Sequence, residues 1–191
     1  QQQADARRHA DQYVAAQTLA RNGDIEGAKA AFERLTTEGP QSYRVMARME
    51  HAAILEAQGD LEGALRDFDA AAEQTKDPVM RQSAQLRAAY LAADTGDFPA
   101  LQRRLQPLIA GGGQMSYLAR ELLGVEAWKA GNNQLARDTL ENLRLAFEAP
   151  ESVRQRAAIA LTVIGPAPAA PAAASGQPAT PARAPSEGET K

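Results

Sequence analysis

Apolar residues recur every three or four positions through most of this chain, which is the spacing of one face of an α-helix. Glycine, proline and Asp or Asn interrupt the pattern at short intervals, as they do at helix ends. The pattern predicts an all-α fold. With their capping residues, the expected helices run over 4–22, 24–39, 42–59, 60–76, 78–96, 98–109, 116–130, 133–147 and 150–165.

One type of turn recurs at every second break in this pattern. A glycine followed by Asp or Asn stands at Gly23, Gly59, Gly96 and Gly131, at intervals of 36, 37 and 35 residues. A glycine ends a helix in the left-handed conformation, and the Asp or Asn after it caps the next helix. The period is that of a helix–turn–helix solenoid.

The repeats align in columns when these four glycines are set in register. Small residues stand where the paired helices cross, since only a small side chain lets the backbones approach, and larger ones fill the space between pairs. The columns are Ala16, Ala52, Ala89 and Gly124 at seven before the glycine; Ala28, Ala64, Leu101 and Ala136 at five after; Phe32, Phe68, Leu105 and Leu140 at nine after; and Leu35, Ala71, Leu108 and Leu143 at twelve after.

These columns resemble the pattern of the tetratricopeptide repeat (TPR), whose period is about 34 residues. The resemblance implies four antiparallel helix hairpins and a closing helix, stacked into a right-handed superhelix. The repeats are degenerate, because the usual aromatic residue early in the first helix is missing and Leu101 stands where Ala is usual.

Several longer segments resemble one family more closely, the ancillary SecYEG translocon subunit family (YfgM-like) in its alphaproteobacterial form. The resemblance covers roughly residues 10–165. The segments that carry it are 39–43, 47–48, 55–60, 86–91, 119–124, 127–128 and 154–157.

This family resemblance implies a location and partners. Its members are single-pass inner-membrane proteins with this domain in the periplasm, associated with the translocon and with periplasmic chaperones. The first residue is Gln1, so we expect that a membrane helix or a signal preceded it. The resemblance implies no catalytic residues and no cofactor.

Composition narrows the functional classes. The formal net charge is −3, which does not favour a nucleic-acid surface. The absence of cysteine removes disulfides and thiol chemistry. His9 and His51 lie on different predicted helices and lack the spacing of metal ligands, so we expect no metal site. Gly111–Gly113 lacks the Lys and Ser or Thr of a phosphate loop. We therefore expect that the protein is not an enzyme.

Binding of another protein is the role that the pattern favours. In a TPR array the first helix of each pair lines a concave groove, and Met, Tyr and Trp there form an adaptable apolar surface. Tyr90 and Trp128 have an alternative, which is packing against a neighbouring repeat. The predicted groove residues are Tyr13, Gln17, Arg21, Met46, Met49, Glu56, Leu86, Tyr90, Asp94, Leu118, Glu121, Val125, Trp128 and Lys129.

The columns that would grip a peptide carboxylate hold Tyr13, Met49 and Leu86, so we predict no carboxylate clamp.

We expect a repeat domain over 1–165 and a disordered Pro/Ala-rich tail over 166–191, which has no bulky apolar residue with which to offset the entropy of ordering. Two alternatives to a translocon-linked scaffold stay open. One is another envelope or cytosolic TPR adaptor, for cell division or outer-membrane assembly, and the other is a homo-oligomeric structural module.

Overall fold

The protein folds as an array of antiparallel helix pairs in a computed structural model that describes residues 2–168. Within these residues there are nine α-helices and no strand. The helices are α1 (Gln2–Arg21), α2 (Ile25–Leu35), α3 (Gln41–Ala57), α4 (Leu61–Gln74), α5 (Pro78–Ala93), α6 (Phe98–Ala110), α7 (Gly113–Lys129), α8 (Asn133–Arg144) and α9 (Glu151–Ile164).

The four glycine turns join the paired helices as the sequence predicts. Gly23, Gly59, Gly96 and Gly131 have φ between 74° and 87°. This left-handed conformation is open to glycine and strained for most other residues. In each turn the next side chain caps the following helix; for example, Asp60 accepts a hydrogen bond from the N–H of Gly63 at 2.9 Å.

The columns of small and large residues form the core. All sixteen of these residues are buried, and Gly124 shows how tightly the helices cross. A Cβ at Gly124 would lie 2.6 Å from Cγ of Leu140, which is far inside van der Waals contact. The buried side chains form several clusters along the array, each between neighbouring hairpins, as in repeat proteins generally.

Several predicted helix ends need correction. Helix α2 ends at Leu35, four residues before the predicted end at 39. Helix α6 ends at Ala110, one residue beyond the predicted end, and Pro107 lies inside it, close enough to the C-terminus that little of the helix follows. Helix α7 begins at Gly113, three residues before the predicted start at 116, so only Gly111 and Gly112 separate it from α6. Helix α8 ends at Arg144, and Phe147 lies beyond it on the surface.

The predicted tail lies almost entirely outside the described residues, which end at Pro168. The disordered tail and the domain boundary at 165 therefore stay predictions. Gly165 ends α9 with φ 76°, 34 residues after Gly131, so it occupies the register of a fifth turn glycine.

Candidate functional site

The odd-numbered helices form the more closely spaced layer of the array. Helix α1 contacts α3, α5 contacts α7 and α7 contacts α9, whereas within residues 2–168 no two successive even-numbered helices are as close. In a curved stack the layer on the inner side has the shorter repeat distance. The odd-numbered helices therefore line the concave side, which we call the groove.

The N-terminal end of the groove carries a polar contact beside an aromatic group. The hydroxyl of Tyr13 on α1 donates to a carboxylate oxygen of Glu50 on α3 at 2.9 Å. The Tyr13 ring meets Phe32 edge-on at 5.6 Å between centroids and lies 6.2 Å from Tyr43. Burial, and then the Glu50 carboxylate, raises the pKa of Tyr13 well above its ordinary value. Tyr13 thus joins two repeats as a neutral donor.

Ion pairs connect other odd-numbered helices. Arg87 on α5 donates to Glu56 on α3 at 2.6 Å, and its guanidinium carbon lies 4.8 Å from the centre of the Phe68 ring. Arg156 on α9 makes a bidentate pair with Glu121 on α7 at 2.6 and 2.8 Å. Each carboxylate has a guanidinium partner from the next odd-numbered helix, so these four charges are compensated inside the groove.

The predicted groove residues fall into three classes of exposure, and one prediction among them is wrong. Leu86 belongs to the core, because Ala119 and Leu122 of α7 join the same cluster and cover it. The exposed residues are Arg21, Tyr90, Asp94, Trp128 and Lys129, and the half-buried ones are Tyr13, Gln17, Met46, Met49, Glu56, Leu118, Glu121 and Val125.

Exposed apolar side chains gather at the C-terminal half of the groove. Tyr90 on α5 is 43% exposed, Trp128 on α7 is 39% exposed, and Ile159 and Val163 on α9 are 64% and 62% exposed. With half-buried Val125 they form what we call the apolar strip. Tyr90 and Trp128 are thus partly exposed, and neither is a fully buried core residue.

The contribution of α9 to the strip was missed at the level of sequence. Ile159 stands six residues before Gly165, as Tyr90 and Val125 stand six before their own turn glycines. The pair between Arg156 and Glu121 confirms that this face of α9 adjoins the groove face of α7. The signal that could have revealed it is the spacing of Gly165, which continues the period.

Tyr90 is electrostatically linked to the same region. Burial, and then the nearby Glu121 carboxylate, raises the pKa of Tyr90, while Arg156 acts in the opposite direction. Glu121 and Arg156 lie on α7 and α9, so the Tyr90 hydroxyl on α5 faces the same side of the array as this ion pair.

Comparison with known proteins identifies the repeat family. The sequence matches the tetratricopeptide repeat-like domain family over residues 1–142. The chain belongs to this family. The match ends within α8, so α9 lies beyond it.

Two solved structures share the fold of this TPR-like domain. Both are crystal structures of nearly identical TPR-like repeats from a Podosopora anserina protein described as a putative kinesin light chain, one of them a point variant. The TM-score is 0.59 for each; the sequences are 16% and 17% identical, and the alignments cover 80% and 78% of this chain and 77% and 76% of those chains. At this identity the likeness concerns the fold alone. A search of curated proteins finds no match.

Outside the groove, one polar cluster of the TPR-like domain has a structural explanation. Nδ1 of His51 on α3 lies 2.5 Å from Oδ2 of Asp67 on α4, and Arg48 donates to the other oxygen of Asp67 at 3.1 Å. All three side chains are less than one-fifth exposed. The cluster fastens the two helices of the second hairpin together. The i,i+3 spacing of Arg48 and His51 was the available signal.

Neither a metal cluster nor a membrane-spanning helix is found among the described residues of the TPR-like domain. No three His, Cys, Asp or Glu side chains converge there closely enough to hold a metal ion. Between residues 2 and 168 no helix combines the length and the apolarity needed to cross a bilayer.

The hollows of the surface differ in how well they suit a protein ligand. One hollow of about 800 Å³ lies along one face of α1 and is lined by short and charged side chains such as Arg7, Asp11 and Ala15. A smaller one of about 300 Å³ brings together Asp94 and Lys129, two predicted groove residues, between the third turn and the end of α7. We assign the candidate site to the strip, because apolar aromatic anchors dominate protein recognition.

Proposed function

We propose that this TPR-like domain is a non-enzymatic scaffold that holds a segment of another protein in its groove. TPR-like solenoids are protein-interaction modules, and the observation that carries the proposal is the apolar strip. Tyr90, Trp128, Ile159 and Val163 are all exposed on odd-numbered helices of the C-terminal half of the array. Apolar residues grouped on one surface mark interaction sites more than scattered ones do.

The proposed location is the periplasmic side of the bacterial inner membrane, where a membrane anchor on the N-terminal side of the repeats would hold the domain. The partners would be translocon subunits, periplasmic chaperones or their client segments. This part of the proposal is supported by the resemblance of residues 10–165 to the ancillary translocon subunit family. It also agrees with the absence of cysteine, which suits an oxidising compartment.

Crosslinking within membranes tests both the groove and the location. A photoreactive amino acid would replace Val125 in the groove of the full-length protein, and a second variant would carry it at Arg66 on α4, whose side chain is 73% exposed outside the groove. We expect a discrete adduct from position 125 alone, with a translocon or chaperone subunit in it. Equal labelling from both positions would contradict groove binding.

A homo-oligomeric module is the second candidate, and the exposure of α9 favours it. Ile159 and Val163 lie on the last helix of the described array, where a second copy has room to pack. Sedimentation of the purified domain separates the two cases. A stable dimer that buries the strip would replace partner binding with self-association.

A further inference from the structure

Helix α9 has the features of the first helix of a fifth hairpin. Ala158 stands seven residues before Gly165, as Ala52 stands seven residues before Gly59. Ala52 is fully buried against its paired helix, whereas Ala158 is only half-buried. Helix α9 packs against α7 and α8, and no helix follows it within residues 2–168. The side of α9 that would face a paired helix is therefore uncovered, and we call it the open face.

A hollow of about 420 Å³ lies where the missing helix would begin. It is lined by Leu161 and Gly165 at the end of α9 and by Arg137 and Glu141 on α8, among others. In each of the four complete hairpins the second helix starts two residues after the turn glycine. A fifth paired helix would therefore start beside this hollow, at the C-terminal end of the stack and outside the groove.

The charges on α8 and α9 leave two arginines without an ion pair. All three carboxylates of these helices accept hydrogen bonds from side chains of their own helix, and they are Asp138, Glu141 and Glu151. The ion pairs found within residues 2–168 include neither Arg137 nor Arg154. Nε of each of these arginines is buried and has no hydrogen-bond partner among those residues. The open end of the array thus favours an acidic partner.

The second hairpin shows which group Arg154 lacks. Arg48 and Arg154 both stand eleven residues before a turn glycine. Arg48 donates to Asp67 on the paired helix α4 at 3.1 Å, and the next residue, Phe68, is fully buried in the core. A helix that completes the fifth hairpin in the same way would place an acid opposite Arg154 and a large apolar side chain beside Ala158.

The chain after the fifth turn does not carry this pattern. At the same distances from the turn glycine, Ala173 and Ala174 stand in place of Asp67 and Phe68, and Pro171 falls inside the helical stretch. Alanine supplies neither the acid nor the large side chain, and proline interrupts a helix. A second copy of the chain fits no better, because its even-numbered helices are held in their own hairpins and its α9 carries the same arginine.

We propose that the open face of α9 binds one helix of another protein, which completes the fifth hairpin. The contacting side of that helix carries Ala, an acid, Phe or Leu, and Ala or Leu at positions i, i+3, i+4 and i+7. Helix α4 has the same arrangement at Ala64, Asp67, Phe68 and Ala71. This second binding surface lies beyond the family match and is separate from the groove.

A peptide with the sequence of residues 60–75 is the probe, because it reproduces α4 and carries the full pattern. A fluorescent label at its N-terminus reports binding to the full chain by anisotropy. We expect saturable binding. A matched peptide with Phe68→Ala should bind at least about tenfold more weakly, since a large side chain that is buried on binding is lost.

Charge reversal tests the contact with Arg154. We expect Arg154→Glu to weaken binding of the probe by about tenfold or more, because two carboxylates would then face each other. A peptide with Asp67→Lys should bind Arg154→Glu more tightly than it binds the unmodified chain. Ile159→Glu is the matched control on the same helix, since Ile159 faces the groove, and it should bind the probe like the unmodified chain. Melting curves check that each variant is folded.

The outcomes are distinct from those that test the groove. Absence of saturable binding, equal weakening by Ile159→Glu and Arg154→Glu, or no gain with the charge-reversed peptide would each overturn the assignment to the open face. Self-association that Arg154→Glu abolishes would identify a second copy as the occupant and would equally overturn it. Crosslinking from position 125 reports on the groove alone, so its failure would leave the open face standing.

Discussion

Single residues fix how closely the helices of a pair approach. The clearest case is Gly124, which stands in the column that holds Ala16, Ala52 and Ala89 in the other repeats. All four positions are buried at the crossing of two helices. Only at Gly124 does the opposite helix fill the space of a methyl group, with Cγ of Leu140 at 2.6 Å from an added Cβ.

We predict that Gly124→Ala destabilises the domain. Alanine is the better helix former by about 1 kcal/mol, so the change would stabilise α7 if there were room. The clash with Leu140 is expected to reverse the sign and to cost about 1–3 kcal/mol. Urea unfolding measures the change, and the double variant with Leu140→Ala should cost less than the sum of the single changes.

A second prediction concerns the phenol of Tyr13. Its pKa is raised in the folded state, so the folded protein holds this proton more tightly than the unfolded chain does. The associated stability is complete below about pH 10, the ordinary pKa of tyrosine, and declines as the pH rises above it. We expect Tyr13→Phe to reduce the loss of stability above about pH 10.

Urea midpoints at several pH values check this expectation for Tyr13. Tyr117→Phe is the control, because its hydroxyl has only a long contact with Glu148, at 3.4 Å. A pH dependence that is the same in the Tyr13 variant and in the unmodified protein would contradict the assignment.

At the scale of the element, each hairpin depends on a capped turn. Asp24, Asp60, Asp97 and Asn132 all accept a backbone hydrogen bond from the first turn of the helix that follows. The second of these turns is the most enclosed, because Gly63, whose N–H donates to Asp60, is buried. A buried donor without a partner is costly.

We therefore predict that Asp60→Ala lowers the free energy of unfolding by about 1 kcal/mol and at most by about 2 kcal/mol. This is the usual cost of replacing an N-cap residue by alanine. Asp60→Asn keeps an acceptor oxygen and should cost less. Glu62→Ala is the control in the same turn, since the Glu62 side chain is 92% exposed. Thermal or urea unfolding distinguishes these variants, and an equal loss in Glu62→Ala would argue against the cap.

At the scale of the whole molecule, each repeat is stabilised by packing against its neighbours, so the last repeat needs a closing element. Helix α9 covers the last cluster, in which Leu140, Leu143, Val153 and Ala157 are buried. Removing α9 would expose this cluster to water. Terminal repeats have the same closing role in solenoids generally.

A chain that stops after Arg144 is accordingly predicted to unfold at lower temperature and to self-associate. Leu140 and Leu143 would become exposed to water and Val153 would be removed. Burial of each large apolar side chain contributes about 1.5–3 kcal/mol to the free energy of unfolding. Circular dichroism during heating and size-exclusion chromatography measure the effect. A chain that stops after Pro168 keeps α9 and should melt like the full chain; a normal melting temperature in the shorter truncation would refute the closing role.

The sequence alone determined the repeat, the positions of the turns and the buried columns. Gly59, Asp60 and Ala52 can be interpreted without a structure because capping, left-handed glycine and helix crossing are local or have a fixed period. Helix ends were predicted less accurately: α2 ends at Leu35 rather than at 39, and α8 ends before Phe147. There, small local preferences compete with packing.

Tertiary structure alone decided which residues of the odd-numbered helices remain accessible. Leu86 and Tyr90 are four residues apart on one helix, yet α7 covers the first and leaves the second open. Likewise, the sequence does not show whether Ile159 is exposed; its exposure follows from the way α9 faces the groove. Exposure and charge pairing depend on what the neighbouring repeat places opposite a side chain, and the crossing of helices sets that placement.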